Sequence, residues 1–222
     1  MDESLLTKLL MQRARAMAPG SEAAQAKQRA KGKLSVRERI EVLFDPGSFV
    51  EVGQLAHSAD PALAEKTPAD GVVTGHGLVH GRVVFVAADD ATVLGGTRGR
   101  VGEAKIARMR AAALAQGKPF VALMEAGAAR VQESSGAMAA GMGARFGDHF
   151  RLSGQVPQVA VVMGNCFGGP SFTAAQSDFT VIVKGTGFMG MSGPLLVKAG
   201  IGLDVTAEEM GGSLMSAAQT GQ

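Results

Sequence analysis

The sequence has no tryptophan and no tyrosine, and it contains a single cysteine, Cys166. One thiol excludes a disulfide framework and a cysteine-based zinc ribbon, and it favours a reducing, cytoplasmic location. The 22 Lys and Arg nearly balance the 20 Asp and Glu, so charge gives no reason to expect a nucleic-acid partner. No apolar run reaches the roughly 18 residues that a membrane-spanning helix needs. We therefore expect no membrane partner.

Small residues are abundant instead, with 31 glycines in 222 residues. This length favours one main domain with a core of its own. A chain so rich in glycine brings backbone close to backbone, and its ligand would be held by main chain more than by aromatic walls. We expect no secretory signal, because Met1–Leu10 carries Asp2 and Glu3 and lacks an apolar core.

Residues 1–48 are predicted to form a helical N-terminal arm, with nine Lys or Arg against six acids. Leucines from Leu5 to Leu10 recur at helical spacing, and Ser35 with Glu38 is a capping box for a further helix that stops before Pro46. A basic arm of this kind is typical of a solvated or subunit-packing element. The alternative is that it helps to hold an anionic ligand.

Residues 49–222 are predicted to form an α/β domain with a largely parallel sheet, because strand and helix patterns alternate along them. The predicted strands are Phe49–Leu55, Gly71–Val79, Arg82–Ala88, Pro119–Met124, Gln158–Met163 and Phe179–Val183. The predicted helices are Gly99–Gln116, Ser135–Leu152 and Pro170–Gln176. The stretch Ala59–Ala69 is predicted to be an exposed loop, and a turn is expected at His80–Gly81.

Four glycine-rich turns, each following a predicted strand, are the candidate functional segments. They are Leu94–Gly102, Met124–Glu133, Gly164–Pro170 and Gly187–Pro194. None has the spacing of a P-loop or of a dinucleotide fingerprint. In the third turn the N–H groups of Gly168 and Gly169 would point out of a helix start, where two donors suit a developing oxyanion. Arg98, Arg100 and Lys105 add positive charge beside the first turn, which is either an anion site or a plain strand-to-helix connection.

Conventional catalytic side chains are missing from the pattern. Cys166 is interpreted as a buried structural residue, and the four histidines lack metal-ligand spacing, so no metal site is predicted. Glu125 and Glu133 flank the second turn, where acid–base work and a plain helix-start role remain open.

Taken together, the motifs resemble the carboxyltransferase subunits of biotin-dependent acyl-CoA carboxylases. The likeness is closest to the propionyl-CoA carboxylase β, methylmalonyl-CoA decarboxylase and transcarboxylase group. The matching segments run from the arm to the fourth turn: Lys33–Ile40, Leu43–Phe49, Asp70–Gly75, Thr92–Gly96, Gly127–Glu133, Gly164–Gly169, Asp178–Phe179 and Met191–Pro194. The chain resembles only the first, acyl-CoA-binding half of such subunits.

The resemblance implies a crotonase-like spiral of ββα units. It implies that the amides of Gly168 and Gly169 stabilise the enolate of a CoA thioester. The residues implied to line the same pocket are Gly95, Gly96, Arg98, Lys105, Gly127, Ala128, Ala129, Arg130 and Phe167. Because CoA phosphates are strongly anionic, Arg98, Arg100 and Lys105 are expected to bind the nucleotide end of CoA. Two of these depart from the family pattern, since Ala128 stands where glycine is usual and Phe167 where a small residue is usual.

The resemblance also implies that biotin is carried by a partner protein, because this sequence has no Met-Lys-Met attachment motif. A homo-oligomer, a C-terminal-half subunit or both are the expected partners. The favoured function is carboxyl transfer between carboxybiotin and the α-carbon of a short acyl-CoA. Two alternatives remain open: a self-contained decarboxylase of a malonyl-type thioester, and an assembly subunit without turnover.

Overall fold

The structure is a computed structural model that describes residues 3–18, 20–141 and 143–221. Its strands are β1 Val50–Glu51, β2 Val72–Val79, β3 Arg82–Asp89, β4 Phe120–Ala126, β5 Gln158–Phe167, β6 Phe179–Ile182 and β7 Phe188–Gly190. Its α-helices are α1 Glu3–Met17, α2 Glu22–Ala30, α3 Val36–Leu43, α4 Pro61–Ala64, α5 Arg100–Gln116, α6 Val131–Ser134, α7 Ala144–Leu152, α8 Gly169–Ala175, α9 Pro194–Ile201, α10 Ala207–Gly211 and α11 Ser213–Met215. Short 3₁₀ turns cover Pro68–Gly71, Leu94–Gly96 and Gly136–Ala139, and a π-helical turn covers Ser216–Thr220.

The strands form one mixed sheet in the order β1-β2-β3-β4-β5-β6, with β7 paired to β5. The pairs β1–β2 and β2–β3 are antiparallel, whereas β3–β4, β4–β5, β5–β6 and β5–β7 are parallel. His80 and Gly81 both have positive φ, as the tight turn between β2 and β3 requires. The predicted α/β class, the largely parallel sheet and this turn are confirmed.

A hydrophobic core lies on each face of the sheet. On one face, Ile106 and Met109 of α5 pack with Phe85, Phe120 and their neighbours. On the other face, Val36, Ile40 and Phe44 pack against the opposite side of β2, β3 and β4. The arm therefore contributes α3 to the fold itself, and α3 begins with the predicted capping box between Ser35 and Glu38. Within the described residues, no helix is long and apolar enough to cross a membrane.

Several predicted elements differ from the observed ones, and glycine explains two of the differences. The strand expected over Phe49–Leu55 is only Val50–Glu51, because Gly53 at φ +75° turns the chain away from the sheet. The helix expected over Ser135–Leu152 is interrupted, since Gly136 and Gly141 also adopt positive φ, and α7 begins only at Ala144.

A further departure concerns a predicted loop. The predicted loop Ala59–Ala69 contains the short helix α4, which the Asp60 carboxylate caps by accepting from the Ala62 N–H at 2.9 Å. The helix predicted from the leucine spacing is present as α1, and Leu5 and Leu10 on it are exposed. Met1, Asp2, Pro19, Met142 and Gln222 lie outside the described residues.

Candidate functional site

Three of the predicted glycine turns meet where the parallel strands β3, β4 and β5 end. The Gly127 N–H donates to the Gly96 carbonyl at 3.1 Å, which joins the first turn to the second. A Cβ on Gly127 would lie 2.7 Å from the Gly95 carbonyl oxygen, so no side chain fits there. The carboxyl ends of parallel strands are where α/β proteins bind their ligands. The site predicted from separate stretches of sequence is thus one place in the fold.

The Gly168–Gly169 turn offers one free amide instead of the two that were predicted. The Gly168 N–H donates to the Gly190 carbonyl at 3.0 Å, because Phe167 and Gly190 are paired where β5 and β7 run side by side. The expectation of a free Gly168 donor is therefore wrong for this conformation. The Gly169 N–H, at the first position of α8, has no acceptor among the residues described.

Ala128 adopts φ +72°, a left-handed conformation that glycine tolerates far better than alanine. Its carbonyl accepts from the Arg98 N–H at 2.9 Å, while its own N–H has no acceptor in the described part of the chain. A Cβ on Gly168 would lie only 3.1 Å from the Ala128 methyl group, so the second and third turns approach each other closely. The Ala128 N–H is thus a second free amide in this region. The next residue, Ala129, forms a parallel β-bridge with Arg98.

Arg98 and Lys105 lie inside the protein, and neither side chain faces open solvent. Arg98 Nε and Nη2 donate to the two carboxylate oxygens of Asp89 at 2.9 and 2.8 Å, and both residues are buried. Lys105 Nζ donates to the Ala69 carbonyl at 2.7 Å and to the Val72 carbonyl, and burial lowers the pKa of its ammonium to about 8. Their role as phosphate ligands stays a prediction, and this burial favours a structural one.

Arg130 is an internal clamp for the turns and has only 1% of its surface exposed. Its Nη1 donates to Asp70 at 2.6 Å and to Glu133 at 2.7 Å, while Nη2 donates to the Thr97 carbonyl at 3.0 Å. Burial opposes ionisation of Glu133, but the hydrogen bonds it accepts from Ser58, from the Arg100 N–H and from Arg130 lower its pKa overall. A Glu133 carboxylate with a lowered pKa and with hydrogen bonds on both oxygens favours the structural alternative over acid–base work.

Glu125, at the end of β4, is similarly occupied. Its two carboxylate oxygens accept from Lys33 Nζ at 2.8 Å and from Arg39 Nη2 at 2.6 Å. Glu125 and Arg39 are buried, and Lys33 is partly buried. Burial opposes its ionisation, yet the hydrogen bonds from both cations outweigh that effect and lower the pKa. The basic arm therefore uses Lys33 and Arg39 to neutralise a carboxylate beneath the second turn.

Phe167 and Cys166 lie on either side of the end of β5. The Phe167 ring is half-buried and packs within 3.6 Å of where side chains on Gly190 and Gly193 would sit. Its effect on the acyl pocket stays a prediction. Cys166 is completely buried, as expected, and burial raises the pKa of its thiol to about 12. Among the described residues, no group of three His, Cys, Asp or Glu side chains could hold a metal ion.

One side chain at this site was not foreseen from the sequence. Arg145, near the start of α7, lies against Gly169, and a Cβ on Gly169 would meet its Nη2 atom at 2.7 Å. Glycines interrupt the segment before α7, so the sequence does not indicate where the helix begins or which of its faces packs inward. The position of Arg145 was therefore not predictable from the sequence.

Residues 27–222 match the family model for the carboxyl transferase domain. The chain belongs to this family. It is 41% identical to the methylmalonyl-CoA decarboxylase subunit alpha of Veillonella parvula over 204 residues, which cover 90% of this chain and 40% of that relative. The chain thus spans well under half the length of the curated relatives it matches. The family predicted from the sequence is confirmed.

Solved structures extend the likeness to the fold. A transcarboxylase 12S hexamer structure with methylmalonyl-coenzyme A bound matches with a TM-score of 0.89 and 38% identity, covering 100% of this chain and 44% of that one. A hetero-dimer of Pseudomonas malonate decarboxylase matches with a TM-score of 0.68 and 28% identity, covering 84% of this chain and 76% of that one. The carboxyltransferases among these neighbours have the crotonase-like fold, which confirms the predicted fold class.

Proposed function

We propose that this chain is the acyl-CoA-binding half of a carboxyltransferase, which moves a carboxyl group between carboxybiotin and the α-carbon of a short acyl-CoA. The observation that carries the proposal is the Gly169 amide, which has no acceptor among the described residues and lies where three glycine turns meet. Family membership over residues 27–222 supports it, as does the likeness to a transcarboxylase with methylmalonyl-coenzyme A bound.

The chemistry on this chain is stabilisation of the thioester. The Gly169 N–H donates to the thioester oxygen, and the Ala128 N–H is the second donor in place of Gly168. When the α-proton passes to the ureido nitrogen that carboxybiotin would free on giving up CO₂, the electron pair of the C–H bond moves through Cα to the thioester oxygen. Amides already fixed in position stabilise the negative charge without reorganising. Cα then attacks CO₂, forming a C–C bond and restoring the thioester carbonyl. Biotin, carried on a partner protein, supplies or accepts the CO₂.

The other candidate residues line the acyl-CoA pocket around these donors. We assign the walls to Gly95, Gly96, Gly127, Ala129 and Phe167, which lie in or beside the three turns. We assign Arg98, Lys105 and Arg130 to the support of those walls, because each is buried and bonded within the protein. In this proposal the predicted residues stay at the site, but the three cations support the pocket walls instead of binding the ligand directly.

We propose that residues 1–48 act as a helical arm and residues 49–222 as the crotonase-like domain. The ion pairs from Lys33 and Arg39 to Glu125 support an arm that packs on the domain instead of extending into solvent. The family match begins at residue 27, so it already includes the part of the arm that makes these contacts. The single buried thiol is consistent with a cytoplasmic protein.

We propose that a C-terminal-half carboxyltransferase partner completes the site. Helix α9 exposes Leu195, Leu196 and Ile201 at 84%, 68% and 69%, and apolar surface of this extent is typical of an interface. A similar chain occurs in the malonate decarboxylase hetero-dimer, which supports pairing of two separate halves. Association of this chain with itself is the other arrangement that such a surface favours.

The experiment measures binding and transfer separately. The purified chain should bind propionyl-CoA or malonyl-CoA in calorimetry, yet it should transfer no labelled carboxyl group from malonyl-CoA to biotin. Adding the C-terminal-half subunit should restore the transfer. Failure to bind any short acyl-CoA would overturn the proposal, and transfer by the chain alone would overturn the need for a partner.

A decarboxylase of a malonyl-type thioester is the second candidate, because both free amides belong to this one chain. In that reaction the bond between Cα and the carboxylate carbon breaks and CO₂ leaves. The electron pair of the broken bond passes through Cα to the thioester oxygen, and Cα then takes a proton from water. Steady CO₂ release from malonyl-CoA by the lone chain would select this function. Binding without turnover, even with the partner, would instead indicate an assembly subunit.

A further inference from the structure

Arg145 places a guanidinium group beside the proposed oxyanion donor. Its Nη2 atom lies 2.7 Å from where a Gly169 side chain would begin. Its Nη1 donates to Glu103 of α5 at 3.0 Å, and its guanidinium carbon lies 5.2 Å from the centre of the Phe146 ring. These two contacts hold the planar group in one orientation with its free edge toward α8.

The guanidinium of Arg145 is only partly used by the protein. Nη2 forms no hydrogen bond with a described residue, while Nε is buried with no partner in the same part of the chain. The side chain keeps 17% of its exposure and lines a cleft of about 290 Å³ between α5 and α7. Of the other cations in this cleft, Arg98 and Arg130 are committed to buried carboxylates. Nη2 is therefore a cationic donor next to Gly169 that no described residue uses.

We infer that Arg145 is a specificity-determining residue that favours acyl groups bearing a carboxylate, such as malonyl-CoA, over uncharged acyl groups of the same shape. The inference rests on the proposed function, because it places the thioester at the Gly169 amide. A thioester oxygen bonded to that amide puts the 3-carboxylate of a malonyl group within the reach of the neighbouring guanidinium. Guanidinium and carboxylate form short, charge-assisted hydrogen bonds, which an ester without the carboxylate cannot make.

The test compares two thioesters of similar shape. Malonyl-CoA ends in a carboxylate, whereas isovaleryl-CoA has an uncharged isopropyl group at the same position. Wild-type protein and an Arg145→Gln variant are titrated with each ester by calorimetry. We expect Arg145→Gln to weaken malonyl-CoA binding by about 10- to 100-fold, as the loss of a charged hydrogen bond does, and to leave isovaleryl-CoA binding unchanged. The matched control is Arg151→Gln on the same helix, whose side chain is 73% exposed and pairs with Asp148 at 3.0 Å.

Arg145→Lys is the conservative variant, because it keeps the positive charge but lacks the planar guanidinium. It should fold normally and lose less malonyl-CoA affinity than Arg145→Gln does. Equal weakening of both esters would overturn the inference, since it would indicate support of Gly169 or of the thioester alone. No change with either ester would overturn it as well, and the proposed function would stand. If wild-type protein binds neither ester, the proposed function fails and the inference fails with it.

Discussion

Ala128 and Gly168 approach each other so closely that a Cβ on Gly168 would lie 3.1 Å from the methyl group of Ala128. Both residues have left-handed backbone, with φ of 72° and 70°. Only Gly168 adopts that conformation without a Cβ, so Ala128 alone carries backbone strain. The second turn therefore keeps its shape at a cost in stability, and the cost arises beside the candidate oxyanion donors.

Replacing Ala128 with glycine should raise the free energy of unfolding by about 1 kcal/mol, because relief of the left-handed strain exceeds the entropy that glycine adds to the unfolded chain. Urea denaturation of the two proteins measures the difference. The control is Ala129→Gly, the neighbouring residue, whose φ is not positive and where glycine should give no gain. Equal effects at the two positions would contradict the strain at Ala128.

Gly169→Pro should lower the rate of carboxyl transfer by about 10²- to 10³-fold, since it removes the one N–H that the turn leaves free. Proline is compatible with the first position of α8, so the fold should persist. Gly169→Ala is the matched control, because it adds a side chain but keeps the amide. The added Cβ displaces the Arg145 guanidinium in both variants, so the difference between Gly169→Pro and Gly169→Ala isolates the loss of the amide. Turnover is measured with the C-terminal-half subunit present, and a well-folded Gly169→Pro enzyme of normal rate would remove Gly169 from the mechanism.

Arg98→Met should destabilise the fold by about 3–5 kcal/mol, because it leaves the Asp89 carboxylate buried without its partner. Arg100→Met serves as the control, since the Arg100 side chain is exposed and only its main-chain N–H bonds to Glu133. Thermal unfolding distinguishes the two variants. An Arg98→Met protein of unchanged stability with a raised KM for CoA esters would restore the phosphate role predicted from the sequence.

Stability should fall as the pH drops from about 6.5 to about 4, and His149 should account for part of this loss. Burial, followed by the nearby Arg110 charge, lowers the pKa of His149 from 6.5 to about 4, so the folded protein keeps the imidazole neutral. In that interval the unfolded chain binds more protons, which favours unfolding by up to about 3 kcal/mol. His149→Gln should flatten the pH profile of the unfolding free energy, whereas His80→Asn on the exposed β2–β3 turn should leave it unchanged.

Local patterns in the sequence were sufficient to predict the strands β2 to β6. Apolar runs bounded by glycine or proline identify β4, β5 and β6, and the Ser35–Glu38 spacing identifies α3. Pairing between distant segments is not a local property. Nothing near Gly168 indicates that the Gly190 carbonyl takes its amide, and nothing near Arg98 indicates that Asp89 neutralises it. The positions of the turns were therefore predictable, while the number of free donors and the role of the cations were not.

The ion pairs that Glu125 makes with Lys33 and Arg39 link the start of the chain to the electrostatics of the site. The carboxylate lies two residues before the Gly127 turn, and its two counter-ions both come from the arm. A protein shortened from its N-terminus past Arg39 would leave the buried Glu125 carboxylate with neither counter-ion, two residues before the Gly127 turn. Loss of the arm would therefore oppose the same charge that the Gly169 amide is proposed to stabilise.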